Sequence, residues 1–333
     1  MTTKPEVIIS GFADEGPTSK SAEGQLTMLS SLGLSYYSVR FVDMGNGVKS
    51  AMALTKAEIR RLKRLHREFS IQVSSLGSPI GKVKLRDVED GSNNVYVPFD
   101  TYLGRDVERA VSLAAELETR CIRGFSFYHP RGTDPREYLD EAADRLNRIV
   151  ERCAQADLIF GLEVEANLIG QDGRLLRALQ RRVNHPNLYL IFDGGNLASQ
   201  NFTAARTFAE YAAMKSGIGW MHIKDYCIDP TLEWKGHVDE ERLKNFVPAD
   251  EGDSGHERIL QDFRQRLPAL TRKLRRQGVH GVFLDLEPHL RGGGQFGGFS
   301  GTDGFGVALR ALTRLLDYVG IGYRLTSYKD MNR

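Results

Sequence analysis

Eight segments of strand character, each followed by a segment of helical periodicity, alternate along the 333 residues of the chain. Parallel strands need a crossover of a dozen or more residues between them, normally a helix, so this rhythm restricts the chain to an α/β architecture. The strands read as 7–12, 36–41, 72–76, 120–128, 158–165, 188–192, 218–223 and 281–287. The first helix reads as 19–32, with Leu26, Leu29 and Leu32 on one side; others read as 56–68 and 100–117. Thr133-Asp134-Pro135 is a helix-start signal, a polar cap followed by proline, with Leu139, Leu146 and Val150 at helical spacing beyond it. A last helix reads as 305–318. No linker rich in Pro, Ser or charge divides the chain, so a single (β/α)8 TIM-barrel domain over residues 1–333 is expected, with a doubly wound sheet as the alternative. The longest non-periodic stretches are 81–99, 225–255 and 288–304. Two of them follow late strands and should lie over the C-terminal face, where barrel active sites sit.

Composition excludes several classes. Hydrophobic residues make up 41% and charged residues 26%, enough for a large core and a solvated surface. A net charge of +2 gives no electrostatic reason to expect nucleic acid or an anionic membrane as partner. The start, Met1 to Glu6, has no apolar leader pattern, and no apolar run approaches spanning length. Cys121, Cys153 and Cys227 have no paired spacing. A cytoplasmic enzyme with reduced thiols is the expectation.

Acidic residues and histidine recur at the ends of the last four strands. These read Glu163-Val164-Glu165, Phe192-Asp193-Gly194, Met221-His222-Ile223-Lys224-Asp225 and Asp285-Leu286-Glu287-Pro288-His289. In a barrel these ends converge on one mouth. Two Glu, one Asp and one His form a mixed O/N set suited to Mn2+, Mg2+, Co2+ or Zn2+. Three carboxylates buried together without a cation would be very costly. A lone Glu or His at a strand end is ordinarily a solvated or hydrogen-bonded residue; four strand ends in agreement are harder to dismiss.

At these residues the chain resembles the xylose isomerase-like barrel family of sugar isomerases, epimerases and dehydratases. The motifs are a Leu-Glu-Val segment, Asp-x-x-Asn, His-x-Lys-Asp and Glu-Pro-His, together with Phe12-Ala13-Asp14-Glu15 and Ser78-Pro79-Ile80-Gly81-Lys82. The resemblance implies that Glu163, Asp193, His222 and Glu287 hold one divalent metal ion, Mn2+ by preference. Glu165 points to the same side as Glu163 because strand side chains alternate; Glu163 is the expected ligand because its neighbours match the family better. Asn196, Lys224, His289 and Arg291 are expected to meet substrate, and so is Glu165. The alternatives are a turn-forming Asn196, a Lys224 paired with an acidic neighbour, and solvated loop positions for His289 and Arg291. His129, at the top of strand four, is expected to act with Glu287 in proton transfer, since imidazole titrates near neutrality; a hydrogen-bonded structural role is the alternative.

Within the family, the chain resembles the larger subunit of bacterial C-glycoside deglycosidases. That implies removal of the C2 proton of a 3-oxo-glycoside with loss of the aglycone from C1, and a smaller partner subunit. A keto-sugar isomerase or epimerase is the second expectation. A metal-dependent endonuclease would want more His ligands and a basic face. The string from Gly292 to Gly297 fits a dinucleotide fingerprint but follows the last strand with no βαβ unit after it, so it is expected to be a mobile loop over the mouth. The basic runs at 60–64 and 272–276 are expected to be solvated faces of helices.

Overall fold

The computed structural model describes residues 5–292 and 297–330. Eight strands form one parallel sheet: β1 (Ile8–Gly11), β2 (Tyr36–Val39), β3 (Gln72–Gly77), β4 (Cys121–Gly124), β5 (Ile159–Glu163), β6 (Leu188–Asp193), β7 (Ile218–Ile223) and β8 (Phe283–Leu286). Each strand pairs with its neighbour in sequence. β8 then pairs with β1, and a bridge from Phe12 to Ser38 joins β1 to β2. The sheet is thereby closed into a barrel, which excludes the open doubly wound alternative.

The helices form the outer layer: α1 (Ala22–Ser31), α2 (Lys56–Phe69), α3 (Glu108–Glu116), α4 (Leu139–Gln155), α5 (Gly173–Val183), α6 (Ala204–Met214), α7 (His256–Arg264), α8 (Leu267–Arg276) and α9 (Gly301–Val319). Their starts follow from local chemistry. Ser21 accepts a hydrogen bond from Gly24 N and caps α1. Thr55 and Glu58 cap α2 reciprocally. Asp134 accepts from Arg136 N in front of Pro135, as the sequence predicts, and a short helical turn then leads into α4. The inner stripe of α2, with Ile59, Leu62 and Leu65, is buried at helical spacing.

Inside the barrel, side chains two residues apart on one strand stack in layers. Gly161 and Ile191, two residues before Glu163 and Asp193 on their strands, face Trp220 in a lower layer. Trp220 fills the lower layer: a Cβ on Gly161 would lie 2.1 Å from the Trp220 ring, so only glycine fits opposite it.

Several strands are shorter than their sequence pattern. β4 stops at Gly124 and not at residue 128, because the chain crosses onto the β3 loop, with Phe125 N donating to Ile80 O and Phe127 N to Gly81 O. β2 stops at Val39, after which Phe41–Asp43 forms a small antiparallel ribbon with Val48–Ser50. β5 ends at Glu163, and α9 begins at Gly301, four residues before the expected start. The 225–255 stretch is ordered by Asp225–Tyr226 pairing with Phe246–Val247. Residues 293–296 of the Gly292-to-Gly297 string lie outside the described residues. No described helix is long and apolar enough to cross a membrane.

Candidate metal centre

Glu163 ends β5, Asp193 ends β6, His222 lies in β7 and Glu287 follows β8. Parallel register sets Asp193 beside His222, and the inward alternation of each strand aims all four side chains into the mouth. Each offers one ligand atom, and these atoms lie within 4.8 Å of one another, fully buried. His222 Nδ1 is 3.1 Å from Glu163 Oε1 and 3.7 Å from Glu287 Oε2. Its Nε2 faces Asp285 Oδ2 at 3.9 Å, and Asp285 accepts in turn from Ser38 Oγ at 2.9 Å. A carboxylate behind the second ring nitrogen is the arrangement that orients a metal-binding imidazole.

Glu163 Oε2, Asp193 Oδ2 and both His222 nitrogens are buried without a hydrogen-bond partner among the described residues. Buried polar atoms left so are rare and costly. Their convergence, with three carboxylates and one imidazole, is the donor chemistry of a divalent-ion site, and these residues could hold such an ion.

Cations crowd the same space. Lys224 Nζ is 3.0 Å from Asp193 Oδ2 and 2.6 Å from Glu287 Oε2. Arg40 Nη1 is 2.5 Å from Glu287 Oε1, and Arg123 Nη1 is 3.3 Å from Glu163 Oε2. Burial alone would raise the Glu163 carboxyl, but His222 and Arg123 hold it down at about 2. Burial is likewise outweighed at Glu287, which Lys224 and Arg40 keep well below the usual carboxylate range. At Asp193 burial wins over Lys224 and pushes the carboxyl up to about 6. Burial opposes charge on His222, yet Glu163 lifts its pKa above the ordinary value.

The remaining sequence-predicted residues divide into those brought to this centre and those that are not. Asn196 Nδ2 donates to Glu163 Oε1, Val164 O and Glu165 Oε2, and so ties the two glutamates together. Its backbone N donates to Asp193 Oδ1, so it also serves the turn. Glu165 stands at the rim, paired with Lys82 at 3.0 Å. His289 Nδ1 lies 2.8 Å from Glu15 Oε1, and its ring stands edge-on to Phe246. Arg291 is exposed and pairs with Asp303 at the start of α9. His129 does not end a barrel strand: it lies five residues beyond β4, after a left-handed Phe127 and a Tyr128 bridged to Lys84 and Leu168. Its Nδ1 faces Pro130 O and Thr133 Oγ1, and its ring stacks on Tyr138. Burial lowers its pKa.

Arg40, Arg123, Glu15 and Asp285 were not singled out from the sequence. A charged residue inside a short apolar strand, as in Cys121-Ile122-Arg123-Gly124, is the signal that marks such positions. Asp225 of the His-x-Lys-Asp motif has a structural part: it accepts from Tyr226 N and Ser254 N and lies 3.0 Å from His256 Nδ1, pinning both ends of the long loop after β7. That loop is also held by a reciprocal pair between Asn167 and Val238.

The model of the family described as xylose isomerase-like TIM barrel matches residues 26–315, and the chain belongs to that family. No curated protein matches the chain significantly. Among solved structures, it is similar to a xylose isomerase-like TIM barrel protein from Mycobacterium smegmatis in complex with magnesium, at 17% identity and TM-score 0.61, covering 96% of this chain and 97% of that one. It is also similar to the probable 3-DHS dehydratase AsbF of Bacillus anthracis, at 16% identity and TM-score 0.60, covering 92% and 98%. A third is the D-psicose 3-epimerase of Clostridium cellulolyticum H10 with D-tagatose, at 12% identity and TM-score 0.56, covering 94% and 98%.

Proposed function

We propose that the protein is a divalent-metal-dependent enzyme that removes the proton next to a sugar carbonyl, with Glu163, Asp193, His222 and Glu287 as metal ligands. The observation that carries this reading is the convergence of ligand atoms from four strand ends on one buried point, with atoms of Glu163, Asp193 and His222 there lacking a hydrogen bond among the described residues. A divalent ion there supplies Lewis acidity to neighbouring sugar oxygens and makes the adjacent C–H more acidic. Mn2+ is the preferred ion, and Mg2+, Co2+ and Zn2+ suit the same donors. Asn196 ties Glu163 to Glu165, Lys224 pairs with Asp193 and Glu287 where an ion would displace it, and Glu165, Lys82 and His289 stand at the rim where substrate hydroxyls would enter.

The finer reading is elimination from a 3-oxo-glycoside. The C2–H pair becomes the C1=C2 double bond, the C1–aglycone pair leaves with the aglycone, and a proton is delivered to it. What supports elimination over epimerisation is the asymmetry of the two glutamates. Both Glu287 oxygens accept hydrogen bonds from cations, Arg40 at 2.5 Å and Lys224 at 2.6 Å, whereas among the described residues Glu163 Oε2 accepts none and meets only Arg123, at 3.3 Å. Returning a proton to the opposite face asks for two exchangeable acid/base groups; elimination asks for one base at C2 and a separate donor at the rim. His129, half-buried in the loop above β4, is the proposed donor. Epimerisation is the second reading, favoured by the likeness to the D-psicose 3-epimerase.

The Mn2+-loaded protein, alone and with candidate smaller subunits, should be incubated with free ketoses and with 3-oxo-glycosides. Release of aglycone is the expected product. Ketose epimerisation with no cleavage under any pairing sinks the elimination reading and leaves the metal centre standing. His129→Ala should keep its metal and lose cleavage by on the order of 10²–10⁴-fold, as for removal of a positioned general acid. Wild-type rates in that variant would take His129 out of the mechanism.

A further inference from the structure

Beside the first cluster lies a second. Glu15, Glu287 and His289 each offer a ligand atom, and these atoms also lie within 4.8 Å of one another. Glu287 belongs to both groups. A carboxylate shared between two such sets is how paired divalent ions sit roughly 3.5–4 Å apart. Here a guanidinium is wedged among the carboxylates. Arg40 Nη1 is 2.5 Å from Glu287 Oε1, and its Nη2 is 3.2 Å from Glu15 Oε1 and 3.2 Å from Asp14 Oδ2. Its plane lies over the Phe12 ring, with Cζ 4.4 Å from the centroid, and the residue is 8% exposed.

Three buried carboxylates around one point need a cation. A guanidinium satisfies them permanently, because it does not deprotonate and its planar fork spans two carboxylates at once. Its position also partitions Glu287. Oε1 is taken by Arg40, while Oε2 lies in the first cluster, 3.7 Å from His222 Nδ1 and 2.6 Å from Lys224 Nζ, which an ion would displace.

We propose that Arg40 is a built-in cation standing where a second divalent ion would otherwise bind, so that the centre takes a single ion and Glu287 offers it Oε2 alone. This rests on the reading of Glu163, Asp193, His222 and Glu287 as a metal centre. The first ion is exchangeable and the second charge is fixed, so the charge beside Glu287 does not vary with metal supply.

The test is metal stoichiometry, by equilibrium dialysis against Mn2+ with elemental analysis, together with electron paramagnetic resonance of the bound ion. Wild type should hold about one ion per chain with the signal of an isolated Mn2+. Arg40→Ala, and Arg40→Met with a side chain still long enough to cover Phe12, should each hold about two, with the signal of an exchange-coupled pair bridged by Glu287. Adding Glu15→Gln to Arg40→Ala should return the count to about one, which separates the new site from surface binding. The uncharged variants should need Mn2+ to fold, since the ion replaces the missing charge. Two ions in wild type, one ion in both uncharged variants, or failure of excess Mn2+ to restore their fold would each overturn the proposal. No ion in wild type would instead overturn the metal centre on which it rests.

Discussion

Lys224 Nζ lies between Asp193 Oδ2 and Glu287 Oε2, at 3.0 and 2.6 Å, so the ammonium would compete with a divalent ion for the same two oxygens. Lys224→Met should therefore bind Mn2+ more tightly, by roughly tenfold or more, equivalent to about 1.4 kcal/mol. Competition against a chelating dye measures this, and unchanged or weaker binding would show that the ammonium does not block the ion. Glu163 and Glu165 give a second comparison. Alternation puts both on one face, and the sequence alone leaves them separable only by their neighbours. The structure separates them by depth: Glu163 is buried beside His222, whereas Glu165 reaches out to Lys82. Glu165→Gln should keep its metal, while Glu163→Gln should lose it; metal retained only in the second variant would reverse the roles. The candidate ligand positions were legible because each stands at or next to the end of a strand. Arg40 was not, because its meaning depends on Glu15 and Glu287, which are remote in sequence and meet it only across the barrel.

At the scale of elements, all eight strands were legible as apolar runs, but not where their ladders stop. Apolar alternation continues through Phe125 and Phe127 although β4 has ended, because those residues pack into the core from a loop. That is why His129 reads as a strand end in the sequence and is not one in the fold. The packing of α2 on β2 carries its own titratable contact. His66 is buried, with Nε2 2.8 Å from the Tyr37 hydroxyl, and burial lowers its pKa to about 4. The unfolded imidazole takes up its proton near pH 6.5, so between about 6.5 and 4 the unfolded state binds more protons and stability is lost as pH falls. His66→Gln can keep a hydrogen bond to Tyr37 and does not titrate in this range. Between pH 7 and 4.5 wild type should lose roughly 2–3 kcal/mol more than this variant. Equal losses in urea denaturation would show that His66 does not carry the effect.

For the whole molecule, the candidate ligands come from four consecutive strands, β5 to β8, which the folded barrel alone brings within reach of one ion. An unfolded chain has no such site, so ion binding adds directly to folding stability. The gain follows RT ln(1 + [L]/Kd), about 2.7 kcal/mol when free ion exceeds Kd a hundredfold. For domains of 150–250 residues 1 kcal/mol moves Tm by roughly 2–4 °C, and the shift shrinks with size, so a rise of about 5 °C is expected here. Thermal unfolding should be followed in excess Mn2+ and again after a chelator, which should return Tm to its metal-free value. Glu163→Gln is the control: it removes one ligand carboxylate, and its Tm should be indifferent to both additions. The metal-free protein should still fold, because Lys224, Arg40 and Arg123 already pair with the ligand carboxylates. That separates this barrel from small metal-nucleated domains, where the ion supplies the fold itself. An identical Tm with Mn2+ and with chelator would mean that the four strand ends hold their charges by internal pairing alone. The centre would then be a structural ion network, and the proposed chemistry would have no ion to work with.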